Sequence, residues 1–280
     1  MAHPIYQYSS IARPLEAKFR TNLAVLILLP LIAIGLAGFE RFYRAAEFGD
    51  AVATGVIGAL AAFLAWALTR ELDPDRNPGA FVAMALCVAA SALGFGPGLF
   101  AAAVILMSVR VVVRTVGLPA RTTDLALVLV LAAAAAGFTG DWWLCLVPGA
   151  AFVIDYLFDR RQRLAPVFAA GALALAALVF VTSGWSWAET DTLVRGWIVA
   201  VVTVGGLFAL MTVTCPPVTS RCDASNDLLD KRRIQAGMAL TLGAAALTLL
   251  GGLDSLTASL PVWAAMGGVI EGRAMPKRKI

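Results

Sequence analysis

Acidic residues that could bind a cation or a substrate lie in three clusters along the chain, each close to basic residues. The first cluster contains Glu71, Asp73 and Asp75, whose carboxylates could bind a divalent cation together. Pro74 prevents a regular helix from continuing through this stretch. The cluster therefore has a second interpretation, a solvated loop between two helices with a proline turn and a helix cap.

The second cluster combines aspartates with arginines that lie inside or at the ends of apolar stretches. Asp155 and Asp159 are four residues apart, so a helix would place both carboxylates on one face. A charge in hydrocarbon is costly, so Asp155 must face the protein interior or pair with a cation. Arg110 lies at a similar depth in another apolar stretch, and Arg114 follows one turn later. We therefore predict a buried ion pair between Arg110 and Asp155.

The third cluster is Asp223, Asp227 and Asp230, followed by basic residues 231–233, and it predicts a capped loop whose acidic residues open the next helix. The single histidine, His3, lies in a polar terminal segment, which excludes a histidine-based relay or a Ser/His/Asp triad inside the apolar part. No catalytic residue is assigned and no metal site is expected. The candidates for substrate or ion binding are Arg110, Asp155, Asp159, Glu71, Asp73 and Asp75.

The composition indicates that the three acidic clusters are positioned by helices that lie in a membrane. The chain has 280 residues, 60% hydrophobic and 14% charged, with a mean hydropathy of +0.83. A soluble domain has about 25% charged residues and needs a polar exterior, so the apolar excess must face lipid. The formal net charge of +4 comes from short basic clusters between apolar runs. Such clusters are typical topology signals, and we expect no nucleic-acid partner.

Ten apolar runs predict an all-α, polytopic transmembrane bundle of about ten short helices arranged as five hairpins. Runs 81–95, 125–138 and 261–270 are the shortest and the least certain to cross the bilayer. The predicted division is a cytoplasmic segment 1–21, one transmembrane domain 22–272 and a basic cytoplasmic tail 273–280. The runs are 22–42, 51–69, 81–95, 99–116, 125–138, 142–158, 166–182, 193–213, 234–250 and 261–270.

The basic residues predict the orientation of these runs. If each run crosses once, 19 of the 22 lysines and arginines lie on the side that holds both termini. The other three are Arg41, Arg44 and Arg195. Because cytoplasmic loops carry the excess of positive charge, both termini are predicted to be cytoplasmic, in a multi-pass protein of the cell inner membrane.

Three classes of function agree with this layout. The first is a small-molecule transporter or channel-like permease, because size and topology resemble the ten-helix drug/metabolite transporter superfamily. The second is a lipid-modifying enzyme. Intramembrane prenyltransferases hold Mg²⁺ and a diphosphate on aspartates after their second and sixth helices, and Asp73, Asp75, Asp155 and Asp159 occupy similar places here. The third is a non-catalytic subunit or assembly factor of a larger complex. The expected partners are the lipid bilayer and other membrane subunits, and Mg²⁺ is expected only for the enzyme.

Overall fold

The computed structural model describes residues 3–183 and 195–275, and these form a bundle of α-helices without a β-strand. Each of the ten apolar runs corresponds to a helix, which confirms the predicted fold class. One additional short helix, α10, separates the last two runs. The helices are α1 (Arg20–Tyr43), α2 (Phe48–Leu72), α3 (Asn77–Ala92), α4 (Phe100–Val113), α5 (Thr122–Thr139), α6 (Trp143–Phe158), α7 (Ala165–Ser183), α8 (Arg195–Val213), α9 (Lys231–Thr248), α10 (Gly252–Ala258) and α11 (Leu260–Ala274).

Six helical segments are long and apolar enough to cross a membrane: α1, α2, α5, α7, residues 196–213 of α8, and α9 with α10. The run that forms α5 is therefore long enough, since this helix has 18 residues. The runs that form α3 and α11 are short, as expected, with 16 and 15 residues. Two further helices are short as well, α4 with 14 residues and α6 with 16.

Helix length follows position in the bundle. In α4, ten of the 14 residues are buried, whereas in the apolar window of α8 only 6% are buried. A helix of 14 residues is only about 21 Å long, less than a hydrocarbon core of about 30 Å. The short α4 is surrounded by protein, so the lipid does not set its length. The long helices α1, α7 and α8 lie at the periphery, where they face the lipid.

Glycine allows α3 and α11 to pack at very short range. A Cβ atom on Gly79 would lie 2.4 Å from the carbonyl oxygen of Gly268, and a Cβ on Gly268 would lie 2.5 Å from that of Gly79. Gly272, one turn after Gly268, would bring a Cβ to 3.1 Å from the Cα of Gly79. Small residues four apart are a common device for close helix contact in membranes. The contact fixes the C-terminal helix against the first half of the bundle.

Both ends of the described chain lie at one face of the bundle, which we call the basic face. It is formed by the N-terminal segment 3–19 and by residues 70–77, 110–121, 155–163, 211–233 and 273. Arg13, near the N-terminus, pairs with Glu71 at the end of α2, and Arg273 of α11 pairs with Asp73. Arg44 lies on the opposite face, where it binds the carbonyl oxygen of Ala92. The positive-inside rule predicts that the basic face is cytoplasmic. Basic residues 277–279 lie outside the described residues.

Candidate functional site

A buried carboxylate joins four parts of the chain at the basic face. The side chain of Glu71 is 1% exposed and accepts hydrogen bonds from Arg13 at 3.1 Å, from Arg110 at 3.0 Å and from the hydroxyl of Thr115 at 2.7 Å. Arg13 also pairs with Asp223 at 2.7 Å. The N-terminal segment, α2, α4 and the loop between α8 and α9 are therefore tied together through one network.

The arginine in the N-terminal segment remains charged in this network. Burial lowers the pKa of the Arg13 guanidinium, but the negative charges of Glu71 and Asp223 outweigh that effect and raise it. An uncompensated charge at this position would be costly, since removing one partner of a buried ion pair costs about 3–5 kcal/mol. The network holds the basic face together as long as both carboxylates are present.

The predicted pair of Arg110 with Asp155 is wrong, because each residue has another partner. Asp155 is buried and pairs with Arg114 and with Arg233, both at 2.8 Å, and Arg114 also binds Asp159 at 2.8 Å. Arg114 ends α4 in a left-handed conformation, with φ 54° and ψ 48°. This turn directs Arg114, and not Arg110, to α6. Arginine rarely adopts positive φ, so the sequence contained no signal for the turn.

Asp73 and Asp75, from the first cluster, bind two different parts of the chain: Asp73 binds α11, and Asp75 binds the loop between α8 and α9. Asp73 binds Arg273 at 3.3 Å, and burial raises the pKa of its carboxyl. Asp75 accepts hydrogen bonds from the backbone N–H and the hydroxyl of both Thr219 and Ser220, at 2.7–3.2 Å. Burial would raise the pKa of Asp75 as well, but these hydrogen bonds outweigh it and lower the pKa.

The four aspartates proposed for a diphosphate site do not form one site. Asp73 and Asp75 bind Arg273, Arg76, Thr219 and Ser220, whereas Asp155 and Asp159 bind Arg114, Arg233 and Arg161. The two pairs share no partner, and their oxygens are occupied by guanidinium and hydroxyl groups. Within residues 3–183 and 195–275, no group of three histidine, cysteine, aspartate or glutamate residues could hold a metal ion.

One residue of the third cluster, Asp230, has the role that the sequence predicted. The side chain of Asp230 caps α9 by accepting a hydrogen bond from the backbone N–H of Arg232 at 2.8 Å. Asp227 is exposed, whereas Asp223 pairs with Arg13. The cluster therefore opens a helix at one end and binds the N-terminal segment at the other.

A cavity of about 790 Å³ lies next to Glu71 and opens on the basic face. Its rim includes the exposed cations Lys18 and Arg221, and its walls come from the N-terminal segment, the end of α2 and the loop between α8 and α9. Five residues of one face of α2 line it: Phe63, Trp66, Ala67, Arg70 and Glu71. Phe63 lies nine residues before the end of α2, so the cavity reaches about 13 Å into the bundle.

The structure brings Glu71 and Arg110 to this cavity and leaves the four aspartates outside its walls. Sequence reasoning missed Arg13, Trp66 and Arg70. One signal was present, because Phe63, Trp66, Ala67 and Arg70 recur at the spacing of a helix face, but α2 is apolar on every side. Arg13 had no signal, since only the folded chain brings the N-terminal segment to the end of α2.

Comparisons with protein-family models, with curated proteins and with solved structures find no match to this chain. Its class therefore follows from its own architecture. Six helical segments are long and apolar enough to span a bilayer, and basic residues gather at one face. On these grounds the chain is a multi-pass membrane protein of helical-bundle fold.

Proposed function

We propose that this protein is a small-molecule transporter of the cell inner membrane, and that the cavity beside Glu71 is its substrate-binding site. The cavity is the single observation that carries the proposal. Its volume of about 790 Å³ is in the usual range for small-molecule sites, about 300–1,000 Å³. It leads from the basic face past Trp66 to Phe63, which lies about 13 Å along the helix axis from the end of α2.

Ion pairs around the cavity support a reversible opening. The elements that form its mouth are joined by ion pairs among Arg13, Glu71, Arg110 and Asp223, in addition to apolar contacts. Such pairs can separate and re-form when helices move, because water and substrate replace lost partners at the rim. On the opposite face, Gly98 packs against Ala258 at short range. In the proposed transporter, this conformation would have its cavity open to the basic face.

Labelling with a membrane-impermeant maleimide tests the proposal. A transporter exposes its central site to each side in turn. Phe63→Cys should therefore react both from the cytoplasmic side, in inverted vesicles, and from outside, in intact cells. Lys18→Cys should react only from the cytoplasmic side, and Glu47→Cys only from outside. The wild-type chain gives the background, since its four cysteines are buried. Labelling of Phe63→Cys from the cytoplasmic side alone would contradict transport.

The proposed membrane and orientation have their own test. A fluorescent protein fused to the C-terminus should fluoresce in bacterial cells, because the basic face is assigned to the cytoplasm. Alkaline phosphatase fused at the same position should be inactive, since that enzyme needs the oxidising periplasm. If the phosphatase fusion is active and the fluorescent fusion is not fluorescent, the C-terminus lies outside the cytoplasm and the proposed orientation is wrong.

The alternatives have less support from the described residues. A lipid-modifying enzyme with an Mg²⁺-diphosphate site would need Asp73, Asp75, Asp155 and Asp159 to face one cavity, and they bind arginines and hydroxyls in two groups. A role as a non-catalytic subunit, with other membrane proteins as partners, stays a prediction.

A further inference from the structure

Among the described residues, two guanidinium groups of the cavity have no carboxylate within 4.0 Å, those of Arg70 and Arg221. Arg221 is exposed at the rim and binds the carbonyl oxygen of Asn226 at 2.8 Å, whereas Arg70 is half-buried in the wall. Arg13, Arg110 and Lys18 each pair with a carboxylate of the cavity wall, from Glu71, Asp223 or Glu16. Arg70 has none within 4.0 Å in the described part of the chain. Its single hydrogen bond there is to the side-chain oxygen of Asn22, at 3.0 Å. A guanidinium carries five N–H donors in a planar fork, so most of the donors of Arg70 are left for a ligand.

Arg70 is held in place before any ligand binds. Its guanidinium lies 4.9 Å from the centre of the Trp66 ring, and Asn22, which is 7% exposed, fixes one nitrogen. A guanidinium that is already ordered loses less side-chain entropy when it binds an anion. The edge of the fork suits the two oxygens of a carboxylate or phosphate, which it can bind through parallel hydrogen bonds.

Below Arg70 the same face of α2 is aromatic. Trp66 is 3% exposed, and its indole nitrogen has no hydrogen-bond partner among the described residues. The ring of Phe63 stacks on Trp66 with centroids 5.9 Å apart. From Phe63 to Arg70 the helix rises about 10 Å, so the wall changes from apolar to cationic over the length of a small molecule.

We propose that Arg70 binds the acidic group of an amphipathic organic anion, a carboxylate or phosphate ester whose apolar part lies against Phe63 and Trp66. The proposal rests on the proposed transport function and deepens it by naming the substrate class. Inorganic phosphate would leave the aromatic wall unused. A neutral apolar compound would leave the donors of Arg70 unpaired.

Calorimetric titration of the purified full-length protein in a neutral detergent tests the site, with 1-naphthyl phosphate as the probe. Naphthyl phosphate should bind at least tenfold more tightly than either 1-naphthol or inorganic phosphate. Arg70→Gln should weaken it at least tenfold, because a charge-assisted hydrogen bond is lost. The control is Arg163→Gln, which removes the same charge from an exposed position on the basic face. This variant should bind within threefold of wild type.

Two results would overturn the site. One is equal weakening by Arg70→Gln and Arg163→Gln, which would mean that general surface charge attracts the probe. The other is binding of 1-naphthol as tight as that of its phosphate. If Arg70→Gln aggregates on size exclusion, Arg70→Lys takes its place. It keeps the charge but loses the stacked planar fork, so it should weaken binding by about threefold to tenfold. Unchanged binding by this variant would overturn the site too.

The source of the anion is decided by competition. Displacement of naphthyl phosphate by phosphatidic acid in nanodiscs, but not by phosphatidylcholine, would assign the ligand to the bilayer. Displacement by hexyl phosphate alone would assign it to the cytoplasm, and both outcomes support the site. The two proposals fail separately. If Phe63→Cys is labelled only from the cytoplasmic side while binding of the probe depends on Arg70, transport is refuted and the anion site stands. If Phe63→Cys is labelled from both sides while binding does not depend on Arg70, the anion site is refuted and transport stands.

Discussion

Replacing Glu71 by glutamine should destabilise the protein more than any exposed charge change on the basic face. The carboxylate is 1% exposed and accepts hydrogen bonds from Arg13, Arg110 and Thr115. Glutamine keeps the volume but removes the charge. Arg13 still has Asp223, whereas Arg110 loses its only carboxylate within the described residues. Breaking a buried ion pair from one side costs about 3–5 kcal/mol, so we expect that loss in the free energy of unfolding.

Thermal unfolding in detergent, followed by tryptophan fluorescence, measures the effect. For a chain of this size a loss of 3–5 kcal/mol corresponds to a fall in Tm of roughly 10 °C. The matched control is Asp227→Asn, an exposed carboxylate on the same face, which should change the free energy by less than about 0.5 kcal/mol. Adding Arg110→Gln to Glu71→Gln should restore part of the loss, because it removes the unpaired buried charge. A Tm for Glu71→Gln within 2 °C of the control would refute the reasoning.

Three further predictions concern other contacts. Gly268→Ala should lower the free energy of unfolding by about 1–3 kcal/mol, because the added Cβ would lie 2.5 Å from a carbonyl oxygen. The control Gly243→Ala, whose added Cβ would meet no atom within 4 Å, should not destabilise the protein. Equal Tm values for the two variants would contradict the close packing at Gly268. Asp75 has a lowered pKa, so its stabilisation exists above about pH 4 and is lost as the pH falls through that lowered value. Asp75→Asn should therefore cost more stability at pH 7 than at pH 2, and a pH-independent difference would disprove it. In a double-mutant cycle, the losses in free energy of unfolding caused by Asp155→Asn and Arg110→Gln should add to within about 0.5 kcal/mol, because the two residues share no partner in the described residues. Strong coupling would show that Arg110 and Asp155 do form an ion pair.

The fold was predictable because its signals are local. Apolar length gave the helices, and the basic residues gave the common face of both termini, since each signal depends only on composition along a run. The break after α2 was also predictable from the sequence. Pro74 prevents α2 from continuing, and Asn77-Pro78 begins α3. The lengths of α4 and α6 were less readable. Their ends depend on burial in the centre of the bundle, which no single run reveals.

The partners of the charged residues were not predictable. Glu71 binds residues 58 positions before and 39 positions after it, and such distances leave no spacing to recognise. Arg110 and Asp155 were paired by their similar depth. Depth fixes the level of a residue in the membrane but not its rotation about the helix axis. The cavity depended on the N-terminal segment, whose polar sequence gave no sign that it would fold back against α2.

The ion pairs also have an order in time, because the chain is made from its N-terminus. Arg13 is synthesised before Glu71, and Arg114 before Asp155, so each buried carboxylate meets a cation that has already been made. Their second partners, Arg110 and Arg233, follow later. No carboxylate of these two networks has to wait in the bilayer for its first counter-charge. The later arginines then join finished pairs, which lets insertion proceed helix by helix without an uncompensated negative charge.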